Sequence, residues 1–291
     1  MSEIAWGKFQ KLNSIEFTVA DWRETIDGGQ AFTWFETDSP NEYQGVFSNV
    51  LAKIRLVGKS VEVAFPTKAN EKKSFELLCE YLDVQTDYKK IRNALKRTND
   101  KHIATALKLY PTLRILRQNP AEAIICFICS SSKRIVQIKQ CVKLLSKKFG
   151  KHLGGGFYAL PDFKTLANAK LEDILDCKLG FRARYLHETA KKIVSDKFNP
   201  QNLRDMDYEK AKSYLTSLSG IGEKVADCIL LFGCSRLEAF PVDTWIKQAM
   251  HTLYSTDNNA KKIREVATQK FPNYAGFAQQ LLFAAKRNSK I

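Results

Sequence analysis

Lys224 and Asp243 are the residues of this chain whose type and setting point most directly to chemistry. Lys224 follows Leu218-Ser219-Gly220-Ile221-Gly222-Glu223, and Asp243 stands 19 residues later in Phe240-Pro241-Val242-Asp243. One predicted helix ends at Leu218 and the next starts at Glu223, so the glycines make a tight hairpin. Glycine suits such a turn because it takes positive φ and lets an outside group approach the backbone. The apolar Ile221 between them is placed to pin the hairpin to the core. The free N–H groups opening the second helix form an anion site suited to a phosphate. Asp243 also heads a helix, where a carboxylate caps free N–H groups. Singly, each feature has an ordinary explanation. Turns between helices are common, an early-helix lysine is usually solvated, and an aspartate there is usually only a cap. Those explanations do not account for the combination at this spacing.

The combination resembles the helix-hairpin-helix Gly/Pro-Asp glycosylase superfamily, whose signature is L-x-G-[IV]-G-x-[KQ]-x-A followed by P-V-D. Members with lysine at the position of Lys224 are bifunctional, so the resemblance implies a covalent mechanism. A lysine amine attacks C1′ of deoxyribose, forms a Schiff base and permits β-elimination of the 3′ phosphate. A free lysine is protonated at neutral pH, with a pKa near ~10.4. Burial and the positive end of a helix both favour the neutral form that attacks. In this reading Asp243 stabilises the positive charge that develops on the sugar.

Three further blocks resemble the 8-oxoguanine DNA glycosylase branch. Gly28-Gly29-Gln30-Ala31-Phe32-Thr33-Trp34 matches its G-Q-[SA]-F-x-W. The resemblance gives Gly29 the carbonyl that accepts from N7–H, a proton the oxidised base has and guanine lacks. Otherwise Gly29 is a simple turn glycine. Leu179-Gly180-Phe181-Arg182-Ala183-Arg184-Tyr185 matches L-G-[YF]-R-A-[RK]-Y. It implies that Phe181 wedges into the base stack and Arg182 meets the orphaned opposite base, offsetting part of the cost of flipping. The alternative is a basic helix start with a core aromatic. Ala275-Gly276-Phe277-Ala278-Gln279-Gln280-Leu281-Leu282-Phe283 resembles A-G-x-A-Q-x-x-L-F. It implies that Gln279 bonds the Watson–Crick edge of the flipped base while Phe283, four residues on and on the same helix face, stacks on it. Cys228 matches a cysteine that packs on the other face of the base. A core phenylalanine beside a surface glutamine is the plain alternative.

Some positions depart from the eukaryotic pattern and suit a bacterial or archaeal form. Ser132 falls where an asparagine contacts the opposite cytosine, and Gln137 replaces a second cytosine-reading arginine. Trp245 stands near where eukaryotic members have a phosphate-contacting histidine. Ser132, Phe181, Arg182, Gly220, Gly222 and Trp245 form the implied DNA-binding set. No cysteine follows Cys234, so the iron–sulfur cluster of some superfamily members is not expected, and no other cofactor is. The family often holds a sodium or potassium ion on its hairpin carbonyls, here Gly220–Gly222. Glycosylases for alkylated or mismatched bases usually lack the lysine. A non-catalytic DNA-binding hairpin module would not need Lys224, Asp243 and a base-pocket pair together. No RNP-like aromatic motif supports RNA binding.

The elements that must position these residues divide in two. In the first hundred residues, Ala31–Phe35, Tyr43–Val50, Val50–Val57 and Val61–Phe65 read as strands, the last two flanking Gly58–Ser60. Ala69–Leu82 has helical spacing. From residue 101 the pattern is helical. Asn119-Pro120 opens a helix, Arg134–Phe149 ends at Gly150, and Gly154-Gly155-Gly156 reads as a flexible break. Asp162, Asp207 and Asp243 stand at cap positions. The last helices are predicted at 208–217, 223–233, 243–254, 260–270 and 275–287. The expected fold is α+β. Residues 1–100 form an antiparallel β-sheet domain with helices that contributes to the lesion pocket. Residues 101–291 form a larger all-α helix-hairpin-helix region in two lobes.

Charge follows the same division. Of 46 Lys/Arg and 31 Asp/Glu, residues 1–100 hold 14 and 15, leaving 32 and 16 for residues 101–291. The net charge of +15 therefore belongs to the helical part, and an anionic polymer is its natural partner. The expected partner is double-stranded DNA containing 8-oxoguanine, bound by a monomer. The seven cysteines, several in apolar runs, read as buried thiols in a reducing compartment. Cys126 and Cys129 lie inside an apolar helix with no second pair at zinc spacing. No apolar stretch is long enough to span a membrane, and no secretory signal is seen. The expected location is cytoplasmic, at the nucleoid of a prokaryote.

Overall fold

The computed structural model describes residues 4–291. Its first part is a five-stranded antiparallel sheet: β1 (Gln10–Glu16), β2 (Trp34–Glu36), β3 (Glu42–Phe47), β4 (Val50–Val57) and β5 (Ser60–Ala64), in the order β1-β5-β4-β3-β2. Helix α1 (Val19–Asp27) and α2 (Glu71–Tyr81) accompany it. β3 and β4 are closed by Ser48-Asn49, both left-handed at φ 45° and 62°, as a two-residue hairpin turn requires. The sheet buries its own apolar cluster, including Phe17, Trp22, Trp34, Phe47 and Ile54.

The remaining helices share a second core: α3 (Tyr88–Arg97), α4 (Lys101–Leu109), α5 (Pro120–Ser130), α6 (Ile135–Phe149), α7 (Phe163–Asn168), α8 (Leu171–Ile174), α9 (Arg182–Ser195), α10 (Tyr208–Thr216), α11 (Glu223–Cys234), α12 (Thr244–Tyr254), α13 (Ala260–Lys270) and α14 (Ala275–Arg287). That core takes in Tyr88, Ile91 and Leu95, so it begins before residue 100. α5 and α11 are its central helices, buried on nearly every side. No helix among the described residues is long and apolar enough to cross a membrane.

The expected caps are present. Asn119 accepts from Ala121 N with Pro120 in the first turn, Asp162 accepts from Thr165 N, and Asp207 accepts from Glu209 and Lys210 N. Two expectations change. Gly154-Gly155-Gly156 is a turn joining β6 (His152–Gly154) to β7 (Phe157–Tyr158), with all three glycines at positive φ. Gly150 is extended at φ −90°; it is small because a Cβ would lie 1.8 Å from Ala159 O.

Phe32, from the N-terminal part, joins the helical core rather than the sheet core and packs edge-on against Phe127 at 5.6 Å. Phe127 in turn stacks on Phe232 of α11. This aromatic row carries the Gly28–Phe32 segment onto the central helices, and a cavity opens beside it.

Candidate functional site

A cavity of about 360 Å³ is lined by Gly29, Lys224, Cys228, Asp243, Gln279 and Phe283, among others. The expected nucleophile, its acidic partner and the four expected base-pocket residues therefore converge on one space. Trp245 also lines it. An open groove of about 680 Å³ shares Lys224, Asp243 and Trp245 with the cavity and adds Ser132, Gly220, Gly222 and Lys247.

The hairpin is held from behind. Ile221 is buried, as its position between two glycines suggests. Thr189 Oγ1 donates to Ser219 O at 2.9 Å, and Ser219 Oγ donates to Glu188. The two glycines serve different needs. Gly220 has φ +76°, and a Cβ there would come within 2.5 Å of Tyr185. Gly222 has ordinary φ, and a Cβ would meet nothing within 4 Å. Its missing side chain leaves the groove open over the start of α11, where free N–H groups favour an anion.

Lys224 sits in the first turn of α11 and Cys228 one turn further on the same face. Asp243 caps α12 through Oδ1, which accepts from Ile246 N at 2.8 Å. Burial raises the Asp243 carboxyl above its ordinary range, opposed by that N–H and by the Lys224 charge. Burial also pushes the Cys228 thiol up to about 11, while Lys224 pulls it down and Asp243 pushes it up. Lys224 thus sits within electrostatic reach of both.

At the floor, Gln279 is buried and its Nε2 donates to Pro241 O at 3.2 Å. A carbonyl only accepts, so this contact fixes the amide orientation. The Oε1 is buried without a partner. A buried amide oxygen left unpaired costs about 1–3 kcal/mol, so Oε1 is the unsatisfied acceptor of this side chain. Gly29 has φ +100° and its carbonyl accepts no hydrogen bond from any described residue. Gln30 beside it is fully buried: Nε2 donates to Arg114 O, Oε1 accepts from Leu116 N, and its own carbonyl accepts from Gln118. The glutamine of the motif is therefore a brace for the glycine.

The remaining expected residues lie outside the cavity. Phe181 is 59% exposed, follows Gly180 at φ +59°, and meets Tyr185 edge-on at 5.6 Å. Arg182 is 6% exposed, which differs from a displayed base-reading arginine. Its Nε donates to Ser131 O at 2.6 Å and its Nη1 to Leu179 O at 3.2 Å. Gln137 is exposed, but its Oε1 accepts from Arg134 N at the head of α6. The sequence reading passed over Arg287, Phe32, Pro241 and the exposed Val136 as cavity-lining residues. Spacing offered a signal for Arg287, one helical turn beyond Phe283 and two beyond Gln279.

Comparison with known proteins agrees with this geometry. Residues 14–124 match the 8-oxoguanine DNA glycosylase N-terminal domain, and residues 125–273 match the HhH-GPD superfamily of base excision DNA repair proteins. A probable N-glycosylase/DNA lyase of Methanothermobacter thermautotrophicus is 31% identical over 66% of this chain and 69% of its own length. The apo crystal structure of the Clostridium acetobutylicum 8-oxoguanine glycosylase/lyase superposes with a TM-score of 0.86 at 34% identity, covering 97% of this chain and 98% of that one. The same enzyme bound to double-stranded DNA with cytosine opposite 8-oxoguanine gives 0.86 at 32% identity, over 99% and 100%. With both halves matched and a cavity of this composition between them, the chain belongs to the 8-oxoguanine DNA glycosylase family of the HhH-GPD base excision repair superfamily.

Proposed function

We propose that this protein removes 8-oxoguanine from duplex DNA and then cleaves the strand at the resulting site. The observation that carries the reading is a pair of unengaged acceptors, Gln279 Oε1 and Gly29 O, on two residues that line the cavity holding Lys224. The base presents donors on its Watson–Crick edge and, only when oxidised, a donor at N7. One acceptor for each edge matches that pattern, and Phe283 and Cys228 supply apolar surface for the two faces.

Lys224 Nζ attacks C1′, and the N-glycosidic bond breaks with its electron pair leaving on the base. The opened sugar becomes a Schiff base with the lysine. Loss of a C2′ proton then expels the 3′ phosphate, and water frees the enzyme. The Asp243 carboxylate stabilises positive charge on the sugar during attack. Gly220, Gly222, Ser132 and Trp245 hold the strand at the groove, where Trp245 is 41% exposed. Phe181, exposed on its glycine hinge, fills the gap left by the flipped nucleotide, with Arg182 beneath it. The Gly220 and Ile221 carbonyls accept no hydrogen bond from any described residue, which fits a monovalent cation at the hairpin. In this reading the protein acts as a monomer on chromosomal DNA in the cytoplasm.

Borohydride reduction tests the covalent step. It is expected to trap a protein–DNA adduct with an 8-oxoguanine duplex, and Lys224→Gln is expected to abolish the adduct. Trapping that survives the substitution assigns the nucleophile elsewhere.

A further inference from the structure

We infer that Arg287 is a positioning residue for lesion recognition: it holds the peptide preceding the Gly29 carbonyl and so sets discrimination between oxidised and ordinary guanine. This rests on the reading of Gly29 given above. Arg287 lies in the last turn of α14, on the face that carries Gln279 and Phe283. Its Nη1 donates to Gly28 O at 3.0 Å and its Nη2 to Glu24 Oε1 at 2.7 Å. Its guanidinium carbon lies 5.6 Å from the centre of the Phe283 ring. One side chain therefore ties the base-stacking aromatic of α14 to the turn that carries the lesion-reading carbonyl.

The turn needs such a tie. Gly29 stands at φ +100°, where glycine rotates with little steric restraint. Gln118 holds the carbonyl of Gln30 on one side, and Arg287 holds the carbonyl of Gly28 on the other. Only Gly29 O is left free between them. Arg287 is itself anchored. Glu24 Oε1 also accepts from Asn288 Nδ2 at 2.7 Å, and Glu24 is buried beneath Gly28. A Cβ at Gly28 would lie 2.1 Å from Glu24 O, so the turn is pressed onto this anchor. Without Arg287 the peptide plane between Gly28 and Gly29 loses its fixed acceptor bond, and the Gly29 carbonyl loses its aim.

Binding to three duplexes tests this in the full-length, non-reacting Lys224→Gln protein: one with 8-oxoguanine, one with guanine, and one with a tetrahydrofuran abasic site. Adding Arg287→Met, which keeps an unbranched stem and removes the guanidinium, is expected to weaken the 8-oxoguanine duplex roughly tenfold, a loss of about 1.4 kcal/mol. Guanine and abasic duplexes should bind as before, and Arg287→Lys should restore part of the loss through its ammonium. Equal weakening on all three duplexes would mean a structural role and overturn the inference, as would an unchanged preference. If the parent itself shows no preference for 8-oxoguanine over guanine, the functional reading fails first and takes this inference with it.

Discussion

The mouth of the cavity takes Lys224 and Asp243 from one short block of chain, whereas its floor takes Gly29, Cys228, Gln279 and Phe283 from three separated segments. The mouth is built on two successive helix starts, where backbone N–H groups and a capping carboxylate supply the electrostatics. The floor is built by convergence: an N-terminal turn, the middle of α11 and the C-terminal helix meet only in the folded chain. In the proposed mechanism the mouth handles the sugar, which every nucleotide has, and the floor handles the base, which distinguishes one nucleotide from another. Substitutions at the mouth should impair both base removal and strand cleavage, and those at the floor base removal alone.

The largest expected effect lies at the mouth. Asp243→Asn keeps a cap oxygen for Ile246 N but removes the negative charge beside Lys224. Single-turnover excision should fall about 10²–10³-fold, the usual loss for one electrostatic stabiliser. The pH profile gives a second readout. Attack needs Asp243 ionised, and burial raises its pKa, so wild-type activity should fall on the acid side at a pH above that of a free aspartate. The limb should be absent in Asp243→Asn. A variant with wild-type rates would remove Asp243 from the chemistry.

A smaller effect is expected at the floor. Gln279→Leu removes the unpaired Oε1 and leaves Pro241 O without its donor. Loss of a buried hydrogen bond of this kind should reduce excision of 8-oxoguanine about 10- to 100-fold. Cleavage of a pre-formed abasic site should stay near wild type, because no base then occupies the floor. Equal losses in both assays would erase the distinction between mouth and floor.

The two regions also differed in how legible they were. The predicted helices 208–217, 260–270 and 275–287 agree within a residue with α10, α13 and α14; Asp207 and Asn259 cap the starts of the first two, and α14 begins at Ala275 without a side-chain cap. Lys224 and Asp243 were legible because they are local to one motif. β1 was missed. Its burial runs Leu12 then Ile15, a spacing of three, because the pairing with β5 shifts register between Leu12 and Glu16. α1 was missed because its buried face holds Asp21, Glu24 and Thr25 beside Trp22 and Ile26, which hides the apolar stripe. That same polar face supplies the Glu24 anchor for Arg287. The floor was legible only through resemblance, since no local spacing brings Gly29 to Gln279. Arg182 was marked by its motif alone, and its burial against the Ser131 and Leu179 carbonyls depends on the loop packed over it.

That burial sets the smallest expected effect, on the base opposite the lesion. Reading cytosine takes donors and acceptors displayed where the partner strand passes. Arg182 gives its Nε hydrogen and one Nη1 hydrogen to backbone carbonyls, and its Nη2 has no hydrogen-bond partner among the described residues. The Gln137 amide oxygen is engaged by Arg134 N, which leaves Nε2 as its free polar atom. Ser132 is exposed at φ 54° and short, so it reaches less far than an asparagine. A buried arginine already held by two backbone carbonyls and one amide NH₂ do not present a bidentate reader, the arrangement that yields about 1–3 kcal/mol of discrimination between bases. Excision of 8-oxoguanine opposite cytosine, adenine, guanine and thymine should therefore span less than about tenfold, under about 1.4 kcal/mol. A single-turnover panel over the four duplexes checks this. A preference for cytosine well beyond tenfold would mean that Arg182 leaves its carbonyl partners when DNA binds, and that the partner-strand side of the site, unlike the mouth, is rebuilt by its substrate.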